Sequence, residues 1–141
     1  MTRAAHMASD DIGADDSDRC PCSSGDVFGA CCGPLLRGVA AAPTAERLMR
    51  SRYSAFALEQ ADYLRATWHP STRPATVDFE DDLRWRRLVV LGREAGGPFD
   101  DTGIVEFEAH WRQGDDRGSL HERSRFVRED RTWFYVDGDV Q

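Results

Sequence analysis

Ile104-Val105-Glu106-Phe107-Glu108-Ala109-His110-Trp111-Arg112-Gln113, followed by Gly114-Asp115-Asp116-Arg117-Gly118, alternates apolar and polar side chains and then turns. A period of two marks a strand with one buried face. Val105, Phe107, Ala109 and Trp111 fall on the apolar side, and Glu106, Glu108 and His110 on the other. The glycine-bounded, aspartate-rich pentapeptide predicts a hairpin, so Ser119 to Arg128 should return antiparallel. A tight turn at Glu129-Asp130-Arg131 then leads into a strand from Thr132 to Val136. Upstream, Trp85 to Arg93 reads as another strand, with Leu88-Val89-Val90-Leu91 apolar on both faces, and the loop Glu94 to Thr102 contains Gly96-Gly97-Pro98.

Before residue 83 the period changes. Pro43 stops the preceding segment and Thr44 is placed to cap a helix from Ala45 to about Glu59. Ala45, Leu48, Met49, Arg52, Tyr53 and Phe56 form its buried stripe at helical spacing, with Arg52 as the charged exception. A shorter helix from Ala61 to Thr67 should end at Trp68-His69-Pro70, because the residue before proline avoids helical angles. Ser71 to Pro74 is expected to form an ordered turn. Helices followed by an antiparallel meander define an α+β domain spanning 44–141.

Cys20-Pro21-Cys22 and Cys31-Cys32 are the chain's four cysteines. An extended Pro21 aims Cys20 and Cys22 to the same side. At the start of a helix, Cys31 and Cys32 differ in direction by about 100°, so both can reach one ion. Four thiolates in a short loop favour one structural zinc per chain, with every coordination position filled by protein. The alternative is a pair of disulfides. Adjacent cysteines bond to each other only with strain, since a disulfide needs Cα atoms about 4.4–6.8 Å apart. The first nineteen residues hold an acidic run and no apolar stretch, so neither a secretory leader nor an oxidising compartment is expected.

Residues 1–18 read as a disordered acidic tail, 19–33 as a zinc knuckle, and 34–43 as a linker in which Leu35, Leu36 and Val39 could pack together. The chain of 141 residues carries a net charge of −7 and takes all its basic charge from arginine and histidine, with no lysine. That balance argues against nucleic acid or an anionic membrane as partner. No apolar run has the length of a membrane span, so a cytoplasmic protein is expected.

Cys20-Pro21-Cys22-Ser23-Ser24-Gly25 with Cys31-Cys32-Gly33 resembles the SEC-C zinc motif, known from a preprotein translocase tail that engages a chaperone. Leu48-Met49-Arg50-Ser51-Arg52-Tyr53-Ser54-Ala55-Phe56, Tyr63-Leu64, Thr67 to Pro74, Val105-Glu106-Phe107 and His121 to Phe126 resemble the small bacterial YchJ-like proteins. This resemblance implies a nuclear transport factor 2-like cone, a curved sheet wrapped around an N-terminal helix, joined to a SEC-C knuckle. Where other SEC-C loops carry lysines, this one has Asp26, Val27, Gly29 and Ala30. No basic docking surface is therefore expected on the knuckle.

Within the cone, Leu120, Glu122, Ser124 and Phe126 share one strand face, which the apolar pair marks as inward. Glu122 could pair with Arg52 as an internal salt bridge. Alternatively, Glu122 and Ser124, with His69 or Arg73 at the mouth, could line a pocket for a small molecule or for lyase or isomerase chemistry. The first arrangement fits a zinc-binding adaptor that recognises a protein partner in export, folding or translation, with Val27 and Phe28 offered as an exposed contact; the alternative is that Phe28 folds back onto the main domain and anchors the knuckle. The second fits a ligand-binding protein or an enzyme. His110 and His121 have no ligand-spaced partners for a second metal.

Overall fold

The computed structural model describes residues 12–141. A 3-10 turn at Phe28–Ala30 precedes a one-turn helix α1 (Gly33–Leu36), then α2 (Ala45–Ala57) and α3 (Ala61–Ala66). Strands β1 (Leu83–Ala95), β2 (Thr102–Gln113), β3 (Asp116–Glu129) and β4 (Thr132–Val140) form one antiparallel sheet in the order β1-β2-β3-β4.

Helix α2 begins where the sequence places it. Thr44 Oγ1 accepts a hydrogen bond from Arg47 N at 3.1 Å, closing one of the open donors of the first turn. The helix packs across β1, β2 and β4. Its start is tied to the β1–β2 loop by Ala45 N donating to Gly96 O at 3.0 Å. Space there is minimal: a Cβ on Gly103 would lie 2.5 Å from Gly96 Cα.

The sheet curves through three register shifts, at Trp85/Arg87 and Val90/Gly92 in β1 and at Arg125/Phe126 between β3 and β4. Bulges bend a strand and increase its twist. They also resolve the doubly apolar run of β1: Leu88 opposes Ala109 and Val90 opposes Phe107, whereas the shifted Leu91 is 47 % exposed. All four strands are longer than the sequence reading. In β4 the whole extension is at one end, where Asp137, Gly138 and Asp139 pair opposite Arg125, Ser124 and Arg123.

Several expectations for the N-terminal region require correction. Residues 1–11 lie outside the described part, but 12–18, expected to be disordered, are folded. Ile12 enters the core, Asp16 pairs with Arg37 at 2.8 Å, and Phe28 N donates to Asp18 O at 2.7 Å. A single isoleucine anchors a segment whose composition is otherwise that of a solvated tail. In the linker Leu35 is buried, but Val39 is 79 % exposed. Phe28 is not an exposed contact: it is fully buried, with the Arg37 guanidinium 5.5 Å from its ring centroid. The knuckle and the cone share one continuous core that runs from Ile12 and the cysteines through Leu48, Tyr53 and Leu88 to Trp133.

Candidate functional site

The knuckle brings Cys20, Cys22, Cys31 and Cys32 together, with all four sulfurs buried and within 4.8 Å of one another. The loop is pinned by Cys20 N donating to Asp26 O at 2.9 Å and Cys31 N donating to Phe28 O at 3.1 Å. All four cysteines are free, so no disulfide competes. Tetrahedral coordination at a metal–sulfur distance near 2.3 Å requires sulfurs about 3.8 Å apart. Cys22 to Cys31 is 3.6 Å and Cys31 to Cys32 is 3.9 Å. The four cysteines are thus positioned to bind a metal ion, and the donor set and its spacing fit a tetrahedral thiophilic one.

The surroundings favour negative charge. Arg47 Nη1 donates to Cys31 Sγ at 3.3 Å and its Nη2 to Cys31 O at 3.1 Å, while Arg50 Nη1 donates to Cys22 O at 2.9 Å. Burial opposes the charge on Arg47, but the Cys31 sulfur outweighs it and raises the guanidinium pKa. Arg50 is likewise raised against burial, by Glu46 and the Cys22 thiol. A dication with four thiolates would leave two negative charges, which Arg47 beside the Cys31 sulfur would partly offset; Arg50 is itself paired with Glu46 at 3.0 Å. Ser24 Oγ lies 3.2 Å from Cys31 Sγ and Ser54 Oγ 3.6 Å from Cys20 Sγ. Ser23 Oγ accepts Leu88 N at 3.1 Å, tying the loop to β1. The sulfurs depend on one another: contact with Cys22 and Cys32 lowers the Cys20 pKa, whereas contact with Cys20 and Cys22, with burial, raises that of Cys32.

The apolar stripe of α2 marks only one buried face, so it does not single out Arg47, Arg50 and Ser54 as neighbours of the cysteines. The helix is buried on two. Ser51, Ser54 and Ala55 are all fully enclosed, in addition to the sheet-facing Leu48, Met49, Arg52 and Tyr53. The available signal was the run of small residues, Ser51, Ser54 and Ala55, on the side away from the apolar stripe.

Beneath α2, the concave side of the sheet encloses a cavity of 230 Å³. Glu122, Ser124 and Arg52 line it, among Tyr53, Trp68 and Tyr135. The expected Arg52–Glu122 salt bridge does not form. Arg52 Nη1 instead donates to Leu64 O at 2.8 Å and Thr67 Oγ1 at 2.7 Å, and the guanidinium lies 4.8 Å from the Trp68 ring centroid and 4.5 Å from that of Tyr135. These carbonyl, hydroxyl and aromatic partners replace a counter-ion. Burial draws its pKa down to about 10, which leaves it charged near neutrality.

Glu122 has its own partners. Ser124 donates to Oε2 at 2.7 Å and Tyr135 donates to the same oxygen at 3.4 Å; no hydrogen bond reaches Oε1 among the described residues. Burial and the adjacent Glu122 push the Tyr135 phenol up to about 12, so it stays protonated and donates. Two further lining residues, Tyr53 and Trp68, carry buried polar atoms, Oη and Nε1, without partners among the described residues.

His69 and Arg73 do not line this cavity. His69 Nε2 lies 3.0 Å from Glu129 and its Nδ1 2.7 Å from Ser71, while Arg73 donates to Trp68 O from Nε and Nη2 at 3.0 and 2.8 Å. They close the α3–β1 segment onto β4, which is stitched by His69 N to Tyr135 O at 2.7 Å. Proline at position 70 signalled the end of the helix, but nothing in the sequence placed that end against β4.

Comparisons with known proteins agree with this architecture. Residues 44–138 match the YchJ middle NTF2-like domain and residues 17–34 the SEC-C motif. A UPF0225 protein of Streptomyces coelicolor is 51% identical over 120 residues, covering 85% of this chain and 94% of that protein. One from Polaromonas naphthalenivorans is 54% identical over 112 residues, covering 79% and 81%. The solution structure of a SEC-C motif containing protein from Rhodopseudomonas palustris superposes with a TM-score of 0.75 at 36% identity, covering 86% of this chain and 98% of that one. A crystal structure of a SEC-C motif containing protein from Psychrobacter arcticus gives 0.72 at 28%, covering 89% and 85%.

Proposed function

Since the chain belongs to the YchJ-like family of UPF0225 proteins, with a SEC-C motif ahead of an NTF2-like domain, we propose that it is a zinc-braced binder of a small organic molecule. Cys20, Cys22, Cys31 and Cys32 would hold one zinc ion, which supplies folding energy and no reaction chemistry, since every coordination position is taken. The ligand would occupy the cone. The observation that carries this reading is Glu122: a carboxylate on an apolar cavity, separate from the nearby arginine, with one oxygen held and the other available. Partner recognition through Val27 and Phe28 has less support, because Phe28 belongs to the core.

The cavity favours an apolar body bearing a hydrogen-bond donor. Aromatic walls supply burial, and Glu122 Oε1 supplies a charge-assisted acceptor. A hydrogen bond to a charged group contributes about 1.5–3 kcal/mol, or about ten- to hundredfold in affinity. Titration with 2-naphthol and with naphthalene, followed by tryptophan fluorescence, isolates that contribution. The hydroxylated compound should bind at least tenfold more tightly to the parent, and the preference should vanish in Glu122→Ala. Equal binding of both, or a preference unchanged in the variant, would exclude Glu122 as the recognition element.

A further inference from the structure

The outward face of the sheet is divided by charge. At one end the cross-strand rows alternate in sign: Glu106 opposes Arg123, and Arg123 opposes Asp139. The charges there are paired, with Arg123 reaching Glu94 at 2.5 Å and Glu106 at 3.2 Å, His121 reaching Glu106 at 2.6 Å, and Arg125 reaching Asp137 and Asp139 at 2.6 and 2.8 Å. At the hairpin end the pattern reverses. Arg84 opposes Arg112 and Arg112 opposes Arg117, so three arginines stand side by side across β1, β2 and β3. In the next row Arg87 opposes His110 and His110 opposes Ser119. The bulge at Trp85/Arg87 adds Arg86.

Like charges directly opposite each other on neighbouring strands are destabilising. Among the described residues none of Arg84, Arg86, Arg87, Arg112 or Arg117 makes an ion pair, although acidic residues outnumber basic ones 25 to 18 in the chain. Only His110 reaches an acid, Glu108, at 3.4 Å. Arg86, Arg87, His110, Arg112 and Arg117 border an open groove of 540 Å³, with Arg84 beside Arg112 at its edge. The arginines themselves are exposed, and Arg112 Nε donates to Gly114 O at 3.2 Å.

We propose that this groove binds a compact phosphorylated ligand carrying two or more phosphate groups. Guanidinium groups bind phosphate oxygens in bidentate fashion, and a ligand bridging adjacent strands would turn the repulsive row into an attractive one. Compactness follows from the neighbouring rows: a long polyanion continuing along the face would run onto Glu108, Glu106 and Glu94. The groove lies on the sheet face opposite the cone cavity, so it is independent of whatever occupies that cavity.

The test uses isothermal titration of the full chain with inorganic pyrophosphate at low and high sodium chloride, beside a single-stranded oligonucleotide. Saturable pyrophosphate binding that weakens as salt rises is expected. Arg112→Ala and Arg117→Ala should each lower the affinity at least tenfold. The melting temperature of unliganded Arg112→Ala supplies a second readout, because a row kept for a ligand is relieved by removing its centre. That temperature should hold or rise. Absence of pyrophosphate binding at low salt, affinity indifferent to both substitutions, a fall in the melting temperature of Arg112→Ala, or binding of the oligonucleotide alone would each overturn the proposal.

Discussion

Glu122 leans over Gly138, and that glycine decides where the carboxylate sits. A Cβ at Gly138 would lie 2.1 Å from Glu122 Oε2. Gly138→Ala should therefore displace the carboxylate from Ser124 and abolish the preference for 2-naphthol over naphthalene, as measured by the same titration. Glu122→Gln, in contrast, should shift the melting temperature little, since no ion pair is broken and Ser124 can still donate to the amide oxygen. Phe28 behaves in the opposite way. Enclosed on all sides, it should cost about 3–5 kcal/mol when truncated to alanine, read as a lower denaturation midpoint. The inward face of β3 was legible from parity alone, because Leu120, Glu122, Ser124 and Phe126 alternate through a register with β2 that has no shift. The destination of the Arg52 charge was not. Its partners are a main-chain carbonyl, a threonine and two aromatic faces brought from α3 and β4, none of which announces itself as a counter-ion.

At the scale of elements, the strands were found by alternation and their ends were not. Asp137-Gly138-Asp139 has the composition of a turn, yet it continues β4 because Arg125 draws both aspartates across the sheet. Hydrogen bonding to the Arg125 guanidinium lowers the Asp139 carboxyl pKa, as the His121 contact does for Glu106. A carboxyl lowered in the folded state contributes stability above its unfolded pKa, and that contribution is lost as pH falls through the folded value. The exposed ion network should therefore weaken below about pH 4, and added salt should blunt the change, both followed by acid titration of the circular dichroism signal. The β3–β4 hairpin turns through Asp130 and Arg131, both at positive φ, 51° and 66°. This two-residue turn favours glycine, so Arg131→Gly should stabilise the fold by about 0.5–1 kcal/mol in a denaturant melt. Gly103→Ala should act in reverse, costing about 1–3 kcal/mol by forcing the β1–β2 loop off Ala45.

For the whole molecule, knuckle and cone form one body. The cysteine spacing was plain in the sequence, as was the order of helices before meander. What joined them was hidden, because the joint consists of small and charged side chains: Ser51, Ser54 and Ala55 admit the loop, and Arg47 and Arg50 bind its carbonyls. A helix with one apolar stripe looks finished without a second partner. Here α2 has the sheet on one side and the four-cysteine cluster on the other, and it carries Met49, Arg52 and Tyr53 into the cavity. Loss of the metal should therefore reach the cone instead of stopping at residue 33. Hydrogen exchange of the α2 amides before and after chelation is the direct test of this arrangement. About one zinc should be released per chain, with protection across Leu48–Ala55 falling sharply while the paired centre of β2 and β3 exchanges more slowly. Chelation that strips the metal but leaves α2 as protected as before would contradict it.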